Sequence, residues 1–220
     1  MSETVLAVVA HPDDEVLGAG GTLARHAAKG DAVHIVFLAD GVGARGEDKA
    51  AVERRVKAAR LAASALGARE PEFLGLPDNR LDRLELLDIV QPIENAIRKI
   101  APHTIYTHHA GDLNIDHVLC HRAVLTACRP LPGATVLRIY AMEVASSTEW
   151  SGDAFTPTHF VDIADTLQAK RHALEAYAEE MRPFPHARSY EAVDALAIWR
   201  GASAGLRAAE AFVVVREITR

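Results

Sequence analysis

Short apolar runs that alternate with longer segments of helical periodicity predict an α/β protein, a single-domain Rossmann-like three-layer sandwich with a mostly parallel sheet. Three observations carry this reading. The first is a set of strand-like runs, Thr4–Ala10, Ala32–Ala39, Thr104–Thr107, Val136–Tyr140 and Phe212–Val215. The second is the helical patterns Gly21–Lys29, Glu47–Leu66, Asp82–Ile100 and His117–Cys128, which supply crossovers between parallel strands. The third is a chain of 220 residues, 49% hydrophobic, long enough to fill one core without a second domain. No repeat, low-complexity tract or linker divides the chain, so residues 1–220 read as one domain.

Thr4–Ala10 is apolar without alternation, which marks an interior strand covered on both faces. It ends at Pro12 and an acidic cluster. Gly18-Ala19-Gly20-Gly21 follows, read as a loop that turns back and lets the helix from Gly21 pack closely on the sheet. A dinucleotide fingerprint is excluded, because G-x-G-x-x-G fails at Leu23. Gly30 and Gly67 stop the first two helices. Ala39–Glu47, Gly75–Arg80, His108–Asn114 and Ser146–Pro157 are rich in Gly, Pro, Asn and Asp and are candidates for a pocket rim. In the latter half, Ala164–Glu180 and Glu191–Ala209 show three-to-four spacing of apolar positions and read as helices.

The net charge of −6, with cations interspersed among acids, offers no field for a phosphate backbone, and nucleic-acid binding is not expected. Met1-Ser2-Glu3-Thr4 carries no cationic leader, and no uncharged stretch reaches the ~18 residues of a membrane span. The expectation is a soluble, cytoplasmic protein, with a homo-oligomer allowed. Cys120 and Cys128 lie eight apart on one helix, ~12 Å by helical rise, too far for a disulfide, and read as buried apolar residues.

The chemistry is concentrated in two segments. His11-Pro12-Asp13-Asp14-Glu15 leaves the first strand, where open α/β sheets keep their sites. Asn114-Ile115-Asp116-His117 opens a helix in mid-chain. The acids of the first segment would also serve as helix caps, but caps need neither the histidine nor the proline. Catalytic zinc takes three protein ligands and keeps a position open for water; His11 and Asp14 supply two, and His117 the third. Asp13, adjacent to a ligand, is placed to act as general base, and Asp116 to orient a ligand histidine.

Together these residues resemble the PIG-L/LmbE-like family of zinc-dependent de-N-acetylases, with its signatures Ala/Pro-His-Pro-Asp-Asp-Glu and a central Asp-His. The closing Arg188-Ser189-Tyr190-Glu191-Ala192, Arg200-Gly201 and Ala209-Glu210-Ala211-Phe212 extend the likeness over most of the chain. The resemblance implies Zn2+, or another divalent metal such as Fe2+, and hydrolysis of an N-acetyl group from a small-molecule amino sugar or sugar conjugate. It also implies the base role of Asp13. The family often has a histidine where this chain has Asn114, and asparagine shuttles no proton. Asp13 is therefore expected to act in both directions, with Asn114 a substrate contact. Arg45, Asp112, His186 and Arg188 are expected at the sugar or its phosphate. His121 follows His117 by four, the spacing of helical zinc pairs, but lacks the His-Glu-x-x-His glutamate and reads as a supporting or surface residue. Of His108 and His109, one is expected at the rim and the other packed.

Two rival readings remain. A non-catalytic metal-binding or scaffold protein would want a closed, cysteine-rich four-ligand site, unlike this set. Gly201-Ala202-Ser203-Ala204-Gly205 fits the nucleophile elbow of serine hydrolases, but a helical pattern precedes Ser203 and no histidine follows it. Ser203→Ala is accordingly expected to keep kcat within a few-fold, whereas a folded, inactive variant would establish the serine mechanism.

Overall fold

The computed structural model describes residues 2–43 and 49–219. The order is β1 (Thr4–Val9), α1 (Asp14–Ala28), β2 (Ala32–Ala39), α2 (Lys49–Ala65), β3 (Glu72–Leu76), α3 (Leu86–Ile100), β4 (Thr104–His108), α4 (Ile115–Ala127), β5 (Arg138–Met142), β6 (His159–Asp162), α5 (Leu167–Ala176), α6 (Tyr190–Ser203) and β7 (Ala209–Glu217). Among the described residues, seven strands form one sheet in the order β3-β2-β1-β4-β5-β7-β6. Strands β1 to β5 run parallel, and β7 enters antiparallel between β5 and β6. The single-domain, mostly parallel three-layer architecture is thus the one expected from the sequence.

Alternate residues of β1 feed two cores. Val5, Ala7 and Val9 pack with α1, α2 and α5, whereas Leu6 and Val8, with Ala10 just beyond the strand, pack with α3 and α4. A strand covered on both faces has no solvent side, which explains its unbroken apolar run. β1 lies between β2 and β4, where the order of connection reverses. Such a switch point opens a crevice at the carboxyl ends of the two strands.

The edges of the sheet were less legible. β3 and β6 were not anticipated; both are short outer strands whose residues are half-buried or exposed, so their patterns carry little apolar signal. The largest correction concerns α1, which begins at Asp14 rather than Gly21 and holds Gly18, Gly20 and Gly21 inside it. These glycines make no loop; they allow close approach. A Cβ on Gly21 would lie 2.8 Å from Ile163 Cβ, and one on Gly18 would lie 2.5 Å from Met142 Sδ. Packing outweighs the ~1 kcal/mol helix cost of each glycine. α6 likewise stops at Ser203 instead of Ala209, because the chain turns through Gly205 at φ 72° to begin β7. Ser203 Oγ donates to Trp199 O at 2.8 Å within that helix, with no strand before it. α5 is shorter at both ends than its apolar spacing indicated.

A buried ion pair joins three elements. Lys170 Nζ of α5 donates to Glu210 Oε1 of β7 at 2.6 Å and to Leu17 O of α1 at 2.9 Å. Glu210 also accepts from the backbone N–H groups of Gly21 and Thr22. Cys120 and Cys128 are buried and free, as expected. No helix among the described residues is long and apolar enough to cross a membrane.

Removing one partner of a buried, fully bonded ion pair strands the other charge. Glu210→Gln is therefore expected to lower unfolding free energy by about 3–5 kcal/mol in denaturant titration, and a loss under about 1 kcal/mol would show that the pair does not hold α5 to the sheet.

Candidate active site and metal centre

The ends of β1 and β4 are tied by one hydrogen bond, Ala10 N to His108 Nε2 at 2.8 Å. Beyond Ala10 the chain turns at Pro12 into Asp13, whose φ of 117° is costly for a residue with a Cβ, about 1–3 kcal/mol. Several bonds hold it there. Asp13 N donates to Glu15 Oε2 at 3.0 Å, and Asp13 O accepts from Val16 N and Leu17 N. Tyr177 Oη donates to Glu15 Oε1 at 2.7 Å, so the residue that caps the C-terminus of α5 braces the turn. Burial pushes the Glu15 carboxyl up to about 8 against these bonds.

This turn sends two adjacent carboxylates to different partners. Asp14 Oδ2 lies 3.3 Å from His11 Nδ1 and 3.3 Å from His117 Nε2, and one donor atom from each residue falls within 4.8 Å of the others. All three are buried. The second nitrogen of each imidazole rests on a carboxylate. His11 Nε2 is 3.2 Å from Asp116 Oδ2 and 3.3 Å from Asp78 Oδ1, and His117 Nδ1 is 3.2 Å from Asp112 Oδ1. Asp116 is itself fixed by Asn79 N and Leu81 N, and Asp112 by the hydroxyls of Ser147 and Thr148. Metal-ligating histidines are oriented by such carboxylates. The His108 ring stacks on His117 at 3.8 Å between centroids, 16° from parallel.

The electrostatics demand positive charge here. Burial alone would depress both imidazoles, but Asp116, Asp14 and Asp78 outweigh it and raise His11 to about 10, while Asp14 and Asp112 raise His117 to about 9. Burial opposes the charge on Asp14, yet His117, His108 and His11 hold its carboxyl well below the usual range. Hydrogen bonding to His117 likewise outweighs burial and brings Asp112 down to about 2. Asp14 Oδ1 is buried without a hydrogen-bond partner. Two imidazoles charged by their acidic surround, and a carboxylate with an unbonded oxygen, fit a divalent cation, which would displace one proton from each ring and leave neutral ligands.

Asp13 faces the other way. Its Oδ2 is 2.9 Å from Arg188 Nη1 and 3.4 Å from Arg55 Nη1. Arg55 also donates to Pro12 O at 2.7 Å and pairs with Glu180. Burial pushes the Asp13 carboxyl up, Arg188 and Arg55 pull it back, Asp14 raises it, and it comes to rest at about 6.

The structure thus brings together His11, Asp13, Asp14, Asp116 and His117 and gives the other expected residues the following partners. Asp112 is committed to His117 rather than turned outward, and Arg188 to Asp13. Asn114 caps α4: its Oδ1 accepts from Asp116 N at 2.8 Å, and its Nδ2 donates to Asn79 Oδ1. His186 packs edge-on against Trp150, and its Nδ1 accepts from Arg188 N. Arg45 lies outside the described residues. His121 Nδ1 bonds to His108 O at 2.8 Å, and His109, half-exposed, meets Phe155. Arg55, Asp78, Ser147, Thr148 and the ring of His108 were not assigned from sequence. Asp78 falls in a loop marked as pocket rim, whereas Arg55 looks like any cation on a solvated helix face.

Residues 6–128 match the PIG-L family, described as GlcNAc-PI de-N-acetylase. The uncharacterized deacetylase YaiS of Escherichia coli (strain K12) is 34% identical over 133 residues, 58% of this chain and 69% of that protein. The 1D-myo-inositol 2-acetamido-2-deoxy-alpha-D-glucopyranoside deacetylase of Nocardiopsis dassonvillei is 28% identical over 237 residues, 79% of this chain and 83% of that protein. Among solved structures, the 4-carboxy-2-hydroxymuconate hydratase of Pseudomonas putida KT2440 superposes with a TM-score of 0.81 at 24% identity, covering 99% of this chain and 98% of that one, a likeness of fold alone. With more than half its length matched, and the His-Pro-Asp-Asp-Glu and Asp-His segments inside the matched region, the chain belongs to the PIG-L family.

Proposed function

We propose that this chain is a zinc-dependent N-deacetylase that releases acetate and a free amine from an N-acetylated amino sugar or sugar conjugate, with residues 1–220 as one catalytic domain. One observation carries the proposal: an open set of ligand atoms on His11, Asp14 and His117 stands beside a carboxylate, Asp13, that is held by arginines and left out of the set. The acetamido-sugar class rests on the family and on the Nocardiopsis relative.

His11, Asp14 and His117 would hold a divalent ion, which would supply Lewis acidity toward the amide carbonyl and water. The chain's residues do the rest. Asp116 and Asp78 fix the His11 ring, and Asp112 fixes that of His117, so each presents its other nitrogen to the site. Asp13 accepts the proton of the attacking water and passes it to the departing nitrogen. Arg188 and Arg55 favour its charged form inside a buried site that otherwise favours the acid. Asp13 acts in both directions because Asn114, the nearest candidate by family position, is engaged in capping and has no proton to shuttle.

Asp14→Ala and His117→Ala are expected to lose bound zinc and activity together. Asp13→Asn is expected to keep zinc while kcat falls about 10²–10⁴-fold, the range of one general base. Because the base must be ionised, wild-type kcat/KM should fall on the acid side as pH drops through about 6 or below, a limb that Asp13→Asn removes. Metal analysis of purified variants and acetate release from N-acetylglucosamine conjugates check this; zinc-free Asp13→Asn would make Asp13 a ligand instead.

A further inference from the structure

The turn that leaves β5 carries three consecutive hydroxyls, Ser146-Ser147-Thr148. All three point into the site, toward two different arms of it. Ser146 Oγ accepts from Arg188 Nε at 2.6 Å, and the same guanidinium donates through Nη1 to Asp13 at 2.9 Å. Ser147 Oγ and Thr148 Oγ1 donate to the two oxygens of Asp112, the carboxylate on His117 Nδ1. One short segment therefore stands two bonds from the base and, through Asp112, two bonds from a ligand, with Ser147 Oγ also 3.4 Å from His117 Nδ1 itself.

The segment is itself held in place. Ser146 N and Ser147 N donate to the Glu149 carboxylate at 2.6 and 3.2 Å, and Thr148 Oγ1 accepts from Val144 N at 2.8 Å. Glu149 thus secures the backbone, and the serine side chains are not needed for that task. Ser147 and Thr148 are only 5% and 1% exposed, so water does not compete for Asp112 on their side. A hydroxyl has one hydrogen, and that of Thr148 goes to Asp112 while its oxygen takes Val144 N; its geometry is fully specified.

We infer that Ser146-Ser147-Thr148 is a positioning clamp, in which Ser147 and Thr148 set the His117 ring through Asp112 and Ser146 sets the base through Arg188. The inference rests on the reading of His117 as a ligand and Asp13 as the base. It divides the segment sharply, since neighbouring residues control different steps: loss of Ser147 weakens metal holding, and loss of Ser146 weakens proton transfer.

The test titrates zinc into the intact, metal-stripped protein against a chelator of known affinity, without substrate, and measures kcat and KM separately. Ser147→Ala is expected to weaken zinc binding about 10–100-fold, as for other groups behind ligand histidines. Ser146→Ala should bind zinc like wild type, with kcat lowered and KM unchanged. Thr148→Ser should keep wild-type affinity where Thr148→Val loses it, a pair that decides the matter if Ser147→Ala does not fold. Wild-type zinc affinity in both Ser147→Ala and Thr148→Val, or equal zinc loss in Ser146→Ala and Ser147→Ala, overturns the clamp alone. A wild-type protein that binds no zinc overturns the ligand reading and the clamp with it.

Discussion

The site is built around a buried carboxylate that the protein alone does not satisfy. Asp14 has one oxygen against the imidazoles of His11, His108 and His117 and another with no hydrogen-bond partner. Folding a negative group away from water is costly unless a compensating charge joins it. The surrounding carboxylates Asp78, Asp112 and Asp116 add to the demand instead of relieving it, which is why His11 and His117 are driven toward their charged forms. A cation at this point would take the place of two ring protons amid four carboxylates, Asp14, Asp78, Asp112 and Asp116, and the two imidazoles of His11 and His117.

That requirement explains why the site lies where it does. Only at the reversal between β1 and β4 do two parallel strand ends deliver His11 and His108 side by side, joined through Ala10 N. The left-handed turn at Asp13 then separates neighbours in sequence into distinct roles, Asp14 toward the imidazoles and Asp13 toward Arg188 and Arg55. The strain at that residue is held by Glu15 and Tyr177, so a tyrosine distant in sequence supports the geometry of the turn.

Much of this was legible in the chain because strong local signals coincided. The unbroken apolar run of β1 marks a central parallel strand, and an imidazole followed by two aspartates at its exit marks the site. The glycines of α1 misled for a physical reason: local propensity opposes them in a helix, and only the contacts with Met142 and Ile163 show why they are there. Asp112 and Arg188 read as polar residues at the pocket, but their partners His117 and Asp13 were not legible, since sequence shows which side chains are polar and not what they face. Arg55, Asp78, Ser147 and Thr148 carry no motif at all. They enter the site from α2 and from loops after β3 and β5, and their roles exist only once the sheet has brought those loops together.

The position of a cation between Asp14 and the two imidazoles is open to direct measurement. His11 offers a nitrogen to each of two candidate donor sets, one with Asp14 and His117 and the other with Asp78 and Asp116. Anomalous diffraction from zinc-loaded crystals, recorded on both sides of the zinc absorption edge, locates the ion without reference to activity. A single peak bound by His11 Nδ1, Asp14 and His117 Nε2 is expected, with Asp13 outside the coordination shell. A peak held instead by His11 Nε2, Asp78 and Asp116, or one coordinated by Asp13, would contradict it.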